Sequence, residues 1–219
     1  MRRRACDCTV ARRAAFSSTS SASALGHLLQ GQAKFAAGDY DGAATAYREA
    51  IEADSSCGLA YLRLSDVDSW RYDYSAALSK LEAGLRLRSR MPARWVKLME
   101  GRRQLALGNG EGAIATLQDA VLDDRDDVDA WLGLAESLFH FGGFAGHSSM
   151  DAQPALERTV ELDSAFAPVY DHLVDLALLA GDSARASKYV RRMGRNDPAR
   201  LVREAAITVR FGRPEERPA

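Results

Sequence analysis

The chain has 219 residues, 47% of them hydrophobic and 27% charged, which is enough to bury one sizeable core or one continuous elongated core. No apolar run approaches the roughly 20 residues of a membrane span, and the net charge of -1 argues against a nucleic-acid-binding body. The three cysteines, Cys6, Cys8 and Cys57, are too few and too badly spaced for a disulfide framework or a four-ligand zinc site. We therefore expect a protein of a reducing compartment, the cytoplasm, without a cofactor or a bound metal.

Residues 1–23 form a leader that is rich in arginine and serine and contains the single acid Asp7. This composition is typical of a mitochondrial transit peptide. It is also typical of a disordered leader, because no apolar stripe lines up with the arginines and residues 17–23 offer no apolar face to bury. The first interpretation places the protein in the mitochondrion, and the second leaves it in the cytoplasm.

From residue 24 the sequence repeats itself, and a repeat of this length indicates a helical solenoid. Each unit has a small residue early in its second helix, and these residues are Ala43, Ala77, Ala113, Ala152 and Ala186. Four positions further on come the bulkier residues Tyr47, Leu81, Leu117, Leu156 and Val190. The turns are expected at Gly38, Tyr72, Gly108, Gly142 and Gly181. Small or modest residues of the first helices are Gly31, Ser65, Gly101, Ala135 and Val174.

This pattern resembles the tetratricopeptide repeat, a helix–turn–helix unit of about 34 residues whose small residues let its two helices approach closely. The resemblance covers residues 24–198. It implies an all-α fold, a right-handed α-solenoid of five hairpins with a C-terminal capping helix. The expected repeats are 24–57, 58–91, 94–127, 128–166 and 167–198, followed by the final helix at 199–211, the end of the solenoid at 212 and a tail at 213–219.

The final helix has an apolar side and a charged side. A solenoid needs a terminal element with a polar outer face, so we expect the apolar side to cover the fifth repeat. The apolar set is Leu201, Val202, Ala205, Ala206 and Val209. Ile207 interrupts the charged side, and the alternative is that the helix belongs to a longer array of repeats.

The resemblance also implies a binding groove, because the first helix of each hairpin lines the concave surface in this family. Carried over by register, the fifth positions are Leu28, Leu62, Leu98, Leu132 and Asp171. The ninth positions are Gln32, Asp66, Arg102, Glu136 and Asp175. An apolar strip edged with acid suits an amphipathic or basic peptide, with Arg102 and Glu136 setting the charge preference. Alternatively, the leucines pack between neighbouring first helices.

Residues 90–195 resemble more closely the tetratricopeptide region of multidomain bacterial serine/threonine kinases and signalling regulators. That region carries a similar Trp-Leu-Gly…Leu-Phe-His helix and a long glycine-containing turn. No kinase catalytic motif is found, so we expect no enzyme. The resemblance implies a non-catalytic scaffold that binds a protein or peptide partner within a signalling or regulatory assembly. The alternative is an organellar assembly factor of the same fold, if the leader targets the mitochondrion.

The stretch 140–151 combines two histidines, three glycines and two serines, so a metal or hydrolytic site there is a further alternative. A metal site would need more ligands than the nearby Asp151 and Glu136 supply, and the serines lack an orienting acid at a defined spacing. We therefore expect a long turn packed by Phe141 and Phe144.

A run of basic residues between 86 and 103 is the strongest positive patch of the sequence. It would suit an acidic partner. An acidic run between 123 and 127 follows one repeat later and balances it, so we expect a solvated face at a joint between repeats.

Overall fold

The computed structural model describes residues 19–193 and 197–212, except for the side chain of Pro198. Residues 1–18 of the predicted leader and the predicted tail at 213–219 lie outside the described residues. The described ranges contain the helices α1 (Ala22–Ala36), α2 (Tyr40–Ala53), α3 (Gly58–Trp70), α4 (Tyr74–Leu85), α5 (Ala93–Ala106), α6 (Gly110–Asp123), α7 (Val128–Phe141), α8 (Gln153–Leu162), α9 (Val169–Leu179), α10 (Ser183–Val190) and α11 (Pro198–Phe211). They confirm the all-α solenoid. No described helix is both long and apolar enough to cross a membrane.

Consecutive helices pack as five hairpins, from α1 with α2 to α9 with α10, and α11 packs on the fifth hairpin. In four hairpins the turn is one residue with a positive φ followed by a capping residue. The positive-φ residues are Gly38, Tyr72, Gly108 and Gly181. The capping residues, whose side chains accept a hydrogen bond from a backbone N–H of the second helix, are Asp39, Asp73, Asn109 and Asp182. Such caps satisfy N–H groups that a helix start leaves unpaired.

The turn of the fourth hairpin is longer, and its positive-φ residue is Gly146 rather than the predicted Gly142. After α7 the chain enters a 3-10 turn at Gly142–Ala145, in which Gly142 keeps a helical φ of -54°. A second 3-10 turn, Ser149–Ala152, leads into α8. The expected packing of Phe144 is wrong, because its side chain is exposed: the 3-10 turns carry it outward.

Small residues allow the two helices of a hairpin to approach closely. A Cβ added at Gly31 in α1 would lie 2.4 Å from the ring of Tyr47 in α2. One added at Gly101 in α5 would lie 2.6 Å from the side chain of Leu117 in α6. Both distances are far below van der Waals contact, so the bulky residue of one helix requires the glycine of the other.

The first and fifth hairpins touch across the side of the solenoid that the first helices form, here called the inner face. The backbone N–H of Ala167 donates a 3.1 Å hydrogen bond to the carbonyl oxygen of Ala36. The indole ring of Trp70, at the end of α3, stacks on the imidazole ring of His172 in α9, with 5.4 Å between the ring centroids. The inner face is therefore closed by contacts between hairpins that are far apart in the sequence.

The final helix α11 packs on the fifth hairpin with the opposite side from the one predicted. Ile207 contacts the core, and Arg203 donates hydrogen bonds to Asp171 of α9. The large side chains of the predicted apolar side are exposed: Leu201 by 74%, Val202 by 62% and Val209 by 51%. The expectation that this side covers the fifth repeat is wrong, because the acids of α9 draw the arginine side of the helix inward.

Gly31→Ala is expected to lower the free energy of unfolding by about 1–3 kcal/mol, because the added methyl group meets the buried ring of Tyr47. Gly26→Ala in the same helix is the matched control, since a Cβ there meets nothing within 4 Å. In that control the free energy of unfolding should rise by about 0.5–1 kcal/mol, because alanine is more favourable than glycine inside a helix. Urea unfolding of both variants measures the difference, and equal effects would contradict the close approach at Gly31.

Candidate functional site

The predicted groove residues line the closed inner face. The leucines are at most 3% exposed, and they are Leu28, Leu62, Leu98 and Leu132. The buried polar members of the set are Asp66, Arg102, Glu136 and Asp171. Gln32 and Asp175 are partly exposed. Burial of the leucines agrees with the alternative that they pack between helices. Contact of this set with a peptide stays a prediction, and it would require the inner face to open.

Charged side chains of the inner face pair across the repeats. Arg63 of α3 donates hydrogen bonds of 2.7 and 2.8 Å to the two carboxylate oxygens of Asp129 in α7. Nε of Arg102 in α5 lies 3.4 Å from a carboxylate oxygen of Asp66 in α3. Such pairing offsets the cost of removing these charges from water.

The predicted basic and acidic runs also meet. Nε of Arg94 lies 2.6 Å from a carboxylate oxygen of Asp127, and Lys97 pairs with Asp123. Asp127 is buried, so the expectation of a solvated face is wrong for this acid, which α5 and α7 enclose. The Arg94–Asp127 pair joins the third hairpin to the fourth, whereas the Lys97–Asp123 pair lies within the third hairpin.

The ion pairs shift the pKa values of the buried acids. Burial acts to raise the pKa of Asp129, but the guanidinium groups of Arg63 and Arg94 lower it to about 2. At Asp66 the burial prevails over the attraction of Arg102 and Arg63, and the pKa is raised. Asp129 is therefore the acid whose charge the folded state favours more strongly.

Three side chains that can bind a metal ion meet on the inner face. Glu136 and His140 of α7 and His172 of α9 place their ligand atoms within 4.8 Å of one another. Oε1 of Glu136 lies 2.8 Å from Nε2 of His172, and Oε2 lies 3.6 Å from Nε2 of His140. The rings of Phe139 and Trp70 both stack on the imidazole of His172, at centroid distances of 4.3 and 5.4 Å.

Two members of this Glu136–His140–His172 cluster, Glu136 and His172, have pKa values shifted towards their charged forms. Burial acts to raise the pKa of Glu136, but His172 and His140 hold it well below its usual range. Burial acts to lower the pKa of His172, but the carboxylate of Glu136 raises it above its usual value. The cluster thus joins an anionic oxygen to two imidazole rings in a buried setting.

A cavity of about 20 Å³ adjoins the cluster and is lined by Tyr72, Tyr74 and Leu105 as well as by the cluster itself. This volume has room for about one water molecule. Tyr72 has a φ of 61°, a left-handed conformation that strains a non-glycine residue by about 1–2 kcal/mol. Three other hairpins have glycine at this turn position. Tyr72 thus takes the backbone conformation that the hairpin turn requires, and it also lines the cavity beside the cluster.

Sequence reasoning found two members of the cluster and missed the third. Glu136 was expected in the groove and His140 in the 140–151 stretch, but His172 was not singled out. The only signal for it is the register, since it follows the predicted groove residue Asp171 by one position.

The rest of the 140–151 stretch does not join this cluster. Nδ1 of His147 lies 3.5 Å from a carboxylate oxygen of Asp151. The hydroxyl of Ser148 accepts a hydrogen bond from the backbone N–H of Met150, which caps a 3-10 turn. His147 belongs to neither group of three potential metal ligands in the described part of the chain. His140 lies instead with Glu136 and His172, and the metal or hydrolytic alternative for the 140–151 stretch stays a prediction.

Residues 28–67 and 98–146 match the family model of the tetratricopeptide repeat. With the five hairpins and their small–bulky contacts, these matches confirm the resemblance found in the sequence. The chain therefore contains tetratricopeptide repeats at 28–67 and 98–146, and this fold supports a role as a protein–protein interaction scaffold. No curated protein matches the sequence significantly.

Several solved structures are similar to the chain. TTC0263, a thermophilic TPR protein of Thermus thermophilus, is 19% identical and has a TM-score of 0.57, with 84% of this chain and 98% of that chain covered. PilW, a type IV pilus biogenesis factor, is 16% identical with a TM-score of 0.50 and 88% of each chain covered. YrrB, a TPR protein with an unusual peptide-binding site, is 19% identical with a TM-score of 0.44, with 83% of this chain and 91% of that chain covered. At identities this low, TTC0263 and PilW show the fold alone.

Asp129→Asn is expected to lower the free energy of unfolding by about 3 kcal/mol at pH 7, because it leaves the buried Arg63 short of a counter-charge. The pKa of Asp129 is lowered in the folded state, so its stabilisation is present above the unfolded pKa, about 3.9. It is lost as the pH falls through about 2. The difference between wild type and variant, measured by urea unfolding at several pH values, should therefore shrink between pH 4 and pH 2.

The control for this experiment is Asp126→Asn. The carboxylate of Asp126 is largely exposed and lies 2.8 Å from Arg158, so its loss should cost less than about 1 kcal/mol. A difference between wild type and Asp129→Asn that stays constant down to pH 2 would contradict the role of the Arg63–Asp129 pair.

Proposed function

We propose that the protein is a non-catalytic scaffold that binds an amphipathic helix of a partner protein on the exposed side of α11. The observation that carries this proposal is the solvent-exposed apolar face of that helix. It is formed by Leu201, Val202, Ala205 and Val209 and is here called the terminal face.

The position of Arg203 gives the register of α11 within the repeat. Arg203 lies 2.7 Å from both Asp171 and Asp175 of the preceding first helix, just as His172 lies 2.8 Å from Glu136. Arg203 therefore occupies the place in α11 that His172 occupies in α9. Counting from this pair, Leu201 corresponds to Tyr170 and Ala205 to Val174.

In the complete hairpins these positions face the second helix. The ring of Tyr170 lies 6.2 Å from that of Tyr189 in α10. The residues that match Ala205 in earlier repeats, Gly31 and Gly101, contact the bulky residue of the second helix. The terminal face is thus the surface on which the second helix of a sixth hairpin would pack.

The chemistry of the terminal face defines the partner. Its centre is aliphatic with a small residue, Ala205, which permits close approach of another helix. Arg210 is exposed beside it, so acidic residues on the rim of the partner helix would be favoured. A helix in this position would repeat the packing that each of the five hairpins already shows.

A photo-crosslinking amino acid at position 201 is expected to capture a partner that the same amino acid at position 122 does not capture. Leu122 of α6 is the matched control, because it is also an exposed leucine. The affinity of the captured partner for the full chain should fall at least tenfold in Leu201→Glu, since a charge at the centre of an apolar interface is a hot-spot loss of roughly 2 kcal/mol or more. Leu122→Glu should leave it unchanged.

Circular dichroism checks that both variants keep their helices. If Leu201→Glu binds the partner as tightly as wild type does, the terminal face is not the docking surface. The predicted groove contact is tested in parallel by reversing Arg102 and Glu136. Because both are buried, we expect this reversal to reduce helical stability rather than partner preference alone.

The wider setting of the scaffold is proposed from the sequence. The kinase-like region at 90–195 is the basis for a signalling or regulatory assembly, and the cysteine content is the basis for a cytoplasmic location. The Arg-rich leader is the basis for the mitochondrial alternative.

A further inference from the structure

We propose that Glu136, His140 and His172 form a binding site for a divalent transition-metal ion, of which zinc is the expected one. The site would supply three protein ligands and leave one position open to water. It is separate from the terminal face and independent of the proposed partner binding.

The ligand types and their spacing fit this ion. Glu136 and His140 are four residues apart on α7, which puts both on one side of the helix. Two imidazoles and one carboxylate, two of them a helical turn apart, form a set that zinc accepts in three-ligand sites. Each imidazole faces a different oxygen of the carboxylate: Nε2 of His172 lies 2.8 Å from Oε1, and Nε2 of His140 lies 3.6 Å from Oε2. Both distances are near the roughly 3.4 Å between ligand atoms that bonds of about 2.1 Å give in a tetrahedron.

Buried polar atoms at this place lack properly oriented partners. Within the described residues, three buried atoms have no hydrogen bond of acceptable geometry: both ring nitrogens of His172 and Oε1 of Glu136. Nε2 of His172 and Oε1 of Glu136 are nevertheless close to each other. The side chain of His172 is only 4% exposed. Leaving such groups unsatisfied is costly, and a cation between them would satisfy a nitrogen and an oxygen together.

The neighbouring acids already have a cation. Asp171 and Asp175 lie beside His172 in a second group of possible ligands, but Arg203 pairs with both of them. Glu136 contacts the imidazole rings of His140 and His172, whereas Asp171 and Asp175 contact the guanidinium group of Arg203. The geometry therefore assigns the ion to Glu136, His140 and His172, with the Arg203 pairs as neighbours.

The surroundings hold the ligands in place and provide the open position. The rings of Phe139 and Trp70 stack on His172 and fix the plane of its imidazole. The cavity of about 20 Å³ beside the cluster accommodates about one water molecule, which would serve as the fourth ligand. Tyr72 also lines this cavity.

The test is metal binding by the full chain after treatment with a chelator. Because Cys6 and Cys8 are potential zinc ligands outside the described residues, the experiment uses the full chain with Cys6→Ser and Cys8→Ser. Titration with Zn²⁺ by calorimetry should give one site per chain. Titration with Co²⁺ should give the visible absorption of a four-coordinate ion with nitrogen and oxygen ligands.

His140→Ala and Glu136→Gln should each weaken Zn²⁺ binding at least tenfold and change the Co²⁺ spectrum. The side chain of His140 is 26% exposed and Glu136→Gln preserves shape, so these variants are chosen in preference to a change at the buried His172. His147→Ala is the matched control, because His147 is a partly exposed histidine near the same helix end that pairs with Asp151. It should bind both ions like the parent chain.

Absence of Zn²⁺ and Co²⁺ uptake by the folded parent chain would overturn the proposal. So would equal affinity in the parent chain, His140→Ala and Glu136→Gln, or an equal loss in His147→Ala. If one of the two ligand variants loses its helical signal in circular dichroism, the other decides the outcome.

Discussion

The charges of the inner face are the constraint on which the rest of the structure depends. Repeat proteins are usually stabilised by contacts between neighbouring units alone. In this chain, however, Arg63 of the second hairpin binds Asp129 of the fourth, and Ala36 of the first accepts a hydrogen bond from Ala167 of the fifth. Once the inner face is closed, a charged side chain on it is removed from water, which is costly unless the charge is paired with an opposite one. The pairs therefore fix how far each hairpin is rotated against the next, and they couple hairpins that are not neighbours.

The histidine cluster is the place where this pairing takes a different form. Arginines meet the inner-face acids at Asp66, Asp129 and Asp171. At Glu136 the partners are imidazoles, which carry a full charge only when protonated. Unlike guanidinium groups, imidazoles can also bind a metal ion through a ring nitrogen. An ion held there would complete the same neutralisation that guanidinium groups achieve elsewhere.

The hairpins could be predicted from the sequence, whereas the closure of the inner face could not. Helix pairing follows from local signals: the small residue Gly31 opposite Tyr47, and a residue such as Asp39 that caps the helix after a turn. These signals lie within one repeat. The closure is the sum of small rotations over five hairpins, and no single residue encodes it. For this reason Glu136 and His140 stood out in the sequence, while His172 was found only when the fold brought it to them.

The orientation of the final helix shows how the inner face decides what the outer surface offers. From the sequence, the apolar side of α11 was expected to turn inward, since burial of aliphatic side chains is favourable. The structure turns Arg203 inward instead, because Asp171 and Asp175 would otherwise be acids without a cation near the end of the inner face. Only the opposite side of α11 then remains for Leu201 and Ala205. The pairing of Arg203 with Asp171 and Asp175 thus leaves an apolar surface exposed on α11, at the position where a second helix would complete the hairpin.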